Sequence, residues 1–186
     1  MKNLNRLLVS SMLTGTFALA SPNAHATEST RGPGYVQGNI LGFAMVGASA
    51  GGFTGTSGGF PIDFQAGYHF SGRHDGFVLG GVQKFFFASG TTGATAARGG
   101  WDIPIAIKDM ELTIAPYALA GILYGFSGGD PRAYFGPGVE ARFFPLNEGA
   151  GKGFFATARP FELIFAPGSG GLLYTYTFNA GAGYAF

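Results

Sequence analysis

Eight charged residues are the natural starting point for chemistry in this sequence: Asp63, Lys84, Arg98, Asp102, Glu140, Arg142, Arg159 and Glu162. Four are acids and four are bases. Such a set supports either a mutually neutralising ion-pair network or a gate in which one ion pair exchanges partners across a narrow path. Nucleophile chemistry has one local pairing, His69-Phe70-Ser71, since a serine needs a neighbouring base to become reactive. The absence of cysteine excludes thiolate metal sites and disulfide frameworks. No zinc, calcium or nucleotide motif is present. The glycine-rich stretch GASAGGFTGTSGG at 47–59 lacks the following helix and the lysine of a phosphate cradle, so it reads as a flexible loop. No catalytic residue, metal ligand or cofactor is assigned; His69 reads as a polar interior residue and His74 as a solvated turn residue.

The elements that position these charges follow from composition. The chain has 34 glycines and 20 phenylalanines but only 11% charged residues, against about 25% in a soluble domain. That is too little charge to cover a water-facing surface. At the N-terminus Lys2 and Arg6 precede the apolar stretch Leu7 to Ala20 and the small-x-small site Ala24-His25-Ala26, the pattern of a cleaved signal peptide over 1–26. The expected mature domain, 27–186, keeps nine basic residues against ten acidic ones, which gives no basic surplus to favour nucleic acid. No helical span is expected: the longest mature apolar stretch, Leu112 to Phe126, is interrupted by Pro116 and glycines. An exported apolar chain without such a helix can satisfy its backbone inside a membrane as a closed β-barrel.

Alternation agrees. Leu172, Tyr174, Tyr176, Phe178, Ala180, Ala182, Tyr184 and Phe186 share one face, opposite Thr175, Thr177, Asn179, Gly181 and Gly183. Ile62, Phe64, Ala66, Tyr68 and Phe70 alternate with Asp63, Gln65, Gly67, His69 and Ser71, and Phe135, Val139, Ala141 and Phe143 with Gly136, Gly138, Glu140 and Arg142. Turn signals then divide the chain into eight expected strands at 35–48, 60–71, 77–88, 94–107, 112–125, 133–144, 154–165 and 172–186. Leu41, Phe43 and Met45 share parity with Gln37 and Asn39, so a bulge near Gly42 or an apolar upper lumen is expected; Pro160, between Arg159 and Glu162 of opposite parity, marks another bulge. Pro116 and Pro137 would remove ladder donors and suggest bulges or distorted pairing. The fold class is an all-β, eight-stranded antiparallel up-and-down transmembrane β-barrel.

The terminal pattern Phe178, Ala180, Ala182, Tyr184, Phe186 resembles the C-terminal signature strand of Gram-negative outer-membrane β-barrel proteins. The resemblance implies a small outer-membrane barrel with both ends periplasmic. Its partners would be outer-membrane lipids and the assembly machinery, which recognises Phe178, Tyr184 and Phe186. The eight charged residues then belong in the lumen, because a basic side chain against lipid costs on the order of 2–4 kcal/mol at the midplane. There Glu140 and Arg142 would sit near Arg159. The His-x-Ser pair is similar to that of outer-membrane lipid A deacylases, but here Ser71 falls on the lumen parity and no acid is evident beside His69. Extracellular loops near 49–59, 89–93, 126–132 and 166–171 are short and carry little charge, which leaves the barrel nearly flush with the membrane. The leading expectation is a non-enzymatic structural component, or a subunit docking with another envelope protein or with its own copies. The alternative is a narrow pore for small apolar solutes, using space left by Gly67, Gly136, Gly138, Gly181 and Gly183. A lipid A-modifying enzyme comes last.

Overall fold

Eight antiparallel strands close on themselves in sequence order in the computed structural model, each paired with its chain neighbours and β1 with β8. The described residues are 31–50, 53–87, 91–107, 110–125, 130–145, 153–168 and 171–186. The expected signal peptide lies outside them. The strands are β1 (Gly34–Ala50), β2 (Phe53–His69), β3 (Gly76–Phe87), β4 (Thr91–Ile107), β5 (Met110–Gly125), β6 (Arg132–Phe144), β7 (Phe154–Gly168) and β8 (Gly171–Ala185). One end of the barrel, here the terminal end, carries Phe186 and the β2–β3 turn; Gly34 and Phe186 exchange backbone hydrogen bonds there, at 3.0 and 2.8 Å.

Period-two alternation decides which side chains face in. Phe64, Tyr68, Phe77, Leu79, Trp101, Phe135 and Phe154 are exposed on the outer wall, while the residues alternating with them face the lumen. At mid-height the outer wall narrows to small residues, with Ala66, Gly81, Ala97 and Ala120 in register across four strands. A closed ring has no edge, so this apolar wall is compatible with lipid on all sides.

Two bulges keep the pattern consistent. Ile40 and Leu41 both face outward, and the register shifts between Asn39 and Leu41, so Leu41, Phe43 and Met45 join the outer wall; the bulge lies just before Gly42. In β7, Pro160 and Phe161 both face outward and the register shifts between Arg159 and Glu162, which returns both charges to the lumen. Pro160 fits because it has no N–H to lose from the ladder. No bulge forms at Pro116 or Pro137; the pairing is distorted at Pro116, where the β4–β5 ladder lacks two pairs and then resumes in the same register, and the β5–β6 register is unbroken past both prolines. A ring of neighbouring pairs holds the register through one missing donor.

The described part of the stretch at 47–59 is strand rather than the expected loop, 47–50 in β1 and 53–59 in β2. Phe53 to Gly59 continue β2, pairing with β1 from Ala50↔Phe53 to Ala44↔Gly59. β2 meets β3 only from Phe60↔Phe87 onward. Residues 53–59 therefore run past the end of β3 as the outer strand of a β1–β2 ribbon that β8 flanks on its other side, and among the described residues no strand pairs with their second edge.

Candidate functional site

The lumen is filled in three layers. At the far end Phe86, Ala94, Tyr134, Ile164 and Ala166 form an apolar plug, with Leu123 and Leu173 packed on it. The centre is charged. At the terminal end Tyr35, Val78, Phe144, Phe155 and Ala185 pack around two histidines.

All eight charged residues singled out above are buried in this lumen. Glu162 on β7 accepts from Lys84 Nζ at 2.5 Å, from the Tyr117 hydroxyl at 2.7 Å and from Thr177 Oγ1 at 2.9 Å. Asp63 on β2 accepts from Arg159 Nη1 at 2.7 Å, Asn39 Nδ2 at 2.7 Å and Asn179 Nδ2 at 2.9 Å, with Lys84 Nζ 3.9 Å away. Glu140 on β6 is the hub: it accepts from Arg142 Nε at 2.9 Å, Arg159 Nη2 at 3.0 Å, Arg98 Nη1 at 3.2 Å, Gln37 Nε2 at 2.9 Å and Gln65 Nε2 at 3.2 Å. Asp102 on β4 accepts from Arg142 Nη1, and Arg98 Nη1 donates to Gln65 Oε1. Arg98 and Arg142 also lie over the faces of Tyr117 and Tyr35, both at 4.0 Å.

Every acid thus meets a guanidinium or ammonium from another strand, which is what allows these charges to remain buried. Bonding partners that the search for charges overlooked are Gln37, Asn39, Gln65, Tyr117, Thr177 and Asn179. Inward parity marked Gln65, Thr177 and Asn179; only barrel closure brings Gln37 and Tyr117 to the same carboxylates.

The glycines expected to open the lumen do not. Tyr35 packs against Gly67, Tyr117 against Gly138, Phe155 against Gly183 and Asn39 against Gly181, so a neighbour's side chain takes these four gaps, and Gly136 lies against the Leu163 backbone.

The terminal end corrects two expectations about histidine. His74 is fully buried rather than solvated; its backbone N–H donates to the Arg31 carbonyl, and its ring stands edge-on to Tyr35 and Phe144. Burial, with the Arg142 guanidinium second, holds the His74 imidazole well below its ordinary pKa. An acid does stand beside His69: Asp102 Oδ2 is 2.8 Å from its Nε2. The β2–β3 and β3–β4 registers bring these two together, a relation that no local motif encodes. Ser71 leaves the lumen parity in the turn, where its exposed hydroxyl donates to the Arg73 and Asp75 carbonyls, each at 2.9 Å. A histidine and a carboxylate are together, without the serine.

Among solved structures, Neisserial surface protein A superposes with a TM-score of 0.55 at 14% identity, covering 82% of this chain and 97% of that one. The chain has the fold of a small outer-membrane barrel. The attachment invasion locus protein Ail of Yersinia pestis aligns at a TM-score of 0.46 and 16% identity, over 84% of this chain and 100% of its own. No protein-family model and no curated protein sequence matches the chain.

Proposed function

We propose that this protein is a non-enzymatic integral barrel of a Gram-negative outer membrane that docks another envelope protein through the β1–β2 ribbon. The observation that carries the reading is the second edge of residues 53–59, with which no strand pairs among the described residues. An exposed edge is a template for strand addition, and natural edges are blunted with lysine, proline or a cover. FTGTSGG contains neither lysine nor proline. An extended segment of a partner would complete this ribbon, with the barrel as its membrane anchor. The terminal end of the barrel, where Gly34 and Phe186 meet, would face the periplasm, and the ribbon would stand on the outer side. Phe178, Tyr184 and Phe186 on the closing strand would be the residues read by the assembly machinery.

The filled lumen supports this over a pore, and the bonding of Ser71 to its own turn gives no support to a lipid A-modifying activity. The test is photocrosslinking from position 56 or 57 in native membranes, followed by native mass spectrometry. A single stoichiometric protein captured from these positions but not from Thr95 on the outer wall, and lost in Thr56→Pro or Ser57→Pro, is expected. A lone barrel, or stable single-channel conductance in a planar bilayer, would sink the reading.

A further inference from the structure

The chain has three histidines, at 25, 69 and 74. The last two are fully buried at the terminal end of the lumen with ring centroids 4.3 Å apart, and Asp102 is buried beside them. We propose that His69, His74 and Asp102 form a binding site for a divalent transition-metal ion of the zinc or nickel type, which ties the β2–β3 turn to β4.

The distances permit it. One candidate ligand atom from each residue lies within 4.8 Å of the other two. Bonds of ~2.0 Å in a tetrahedral site put ligand atoms roughly 3.3 Å apart, so modest rotations of the three side chains suffice. With no cysteine in the chain, the donor set is imidazole and carboxylate, which suits zinc, nickel or copper over the alkaline-earth ions.

The hydrogen-bond roles point the same way. His69 Nδ1 lies 2.8 Å from the Pro33 carbonyl, which can only accept, so Nδ1 carries a hydrogen. In the neutral ring Nε2 then turns its lone pair to Asp102 Oδ2 at 2.8 Å, and two acceptors meet. Something has to lie between them: a proton, on the ring or on the carboxyl, or a metal ion. The Pro33 carbonyl is the kind of partner that orients a ligating histidine from behind. Across the same space His74 Nε2 stands 3.3 Å from Arg142 Nη1, which can only donate, so Nε2 is again a lone pair and Nδ1 holds the hydrogen. Asp102 Oδ1 and His74 Nδ1 are buried with no hydrogen-bond partner among the described residues.

Arg142 is the competitor. It reaches Asp102 and His74 through Nη1 alone, while its Nε stays on Glu140 at 2.9 Å. A metal ion displaces that one nitrogen and leaves the guanidinium anchored on the hub. The bound ion then joins the turn that holds His74 to the strands that carry His69 and Asp102, and through the Pro33 carbonyl to the segment entering β1.

The experiment uses the full barrel, refolded in detergent without a histidine tag, stripped with EDTA and incubated with Zn²⁺ or Ni²⁺. One equivalent should survive desalting, its X-ray absorption spectrum should carry the scattering of two imidazoles, and thermal unfolding should shift upward. His69→Gln and His74→Gln should each weaken retention at least tenfold, and Arg142→Met should tighten it by a similar factor. Heat-modified gel migration checks that each variant is folded. If one is not, the wild-type absorption spectrum decides alone. Retention below about a tenth of an equivalent, a spectrum without imidazole scattering, or equal retention by folded His74→Gln would overturn the proposal. So would ¹⁵N spectra showing both His69 nitrogens protonated and unchanged by Zn²⁺, which would give the contact to a proton.

Discussion

The centre of the lumen and its far end fill the same barrel with opposite materials. Around Glu140, Asp63 and Glu162 the filling is charge, held by groups from several strands at once. Around Ile164, Phe86 and Ala166 it is hydrocarbon. Both layers bury their side chains in the lumen, but they are held by different physics. A charged layer depends on each carboxylate having its cations, and a single deletion leaves the remainder buried and uncompensated. An apolar layer loses only what is cut away, plus a cavity.

The sharpest way to break this contrast is Glu140→Gln, which removes the hub carboxylate from Arg98, Arg142 and Arg159 together. Urea unfolding in lipid vesicles should show a loss of about 3–5 kcal/mol; a loss under about 1 kcal/mol would mean that water already reaches the network. Lys84→Met comes next. Alone it leaves Glu162 only the Arg159 guanidinium at 3.6 Å and should cost about 3 kcal/mol, whereas Lys84→Met with Glu162→Leu should recover at least ~1 kcal/mol of that, since the under-compensated carboxylate goes too. A strictly additive double mutant would show that the pair is not coupled. At the far end Ile164→Val should cost only about 1 kcal/mol, and a loss like that of Glu140→Gln would erase the distinction between the layers. Smallest is Ser71→Ala, which removes a hydroxyl from an exposed turn. It should cost about 0.5 kcal/mol and leave lipid A acylation unchanged in cells expressing the variant.

Much of the barrel was legible because the membrane-type wall imposes a strict period of two. Alternation at 62–70 and 172–186 placed the inward and outward faces correctly, and the parity conflict across Pro160 located a bulge, because a charge cannot be left on an apolar wall. What alternation could not supply was anything lacking a buried face. Residues 55–58 are exposed on both sides of the ribbon, so glycine, serine and threonine there carry no period, and their composition reads as a loop. His74 was misread for a related reason: a turn residue is ordinarily solvated, and the burial of this one comes from Tyr35, Phe144 and Phe155, which arrive from three distant strands. The eight inward charges were readable one at a time. Their pairing was not, because it depends on how the strands stagger as the ring closes.

The seam of the ring has a consequence in time. Tyr35 pairs with Ala185, and Gly34 trades backbone bonds with Phe186, so the first strand waits for the last before its outer edge is satisfied. Contacts so distant along the chain cannot form while the polypeptide is still emerging, and they make folding slow. Until β8 arrives, β1 and β7 are both open templates in a sequence rich in aromatic side chains. Such a nascent chain has to be kept apart from its copies until closure, and the closing residues are the ones on which its solubility turns.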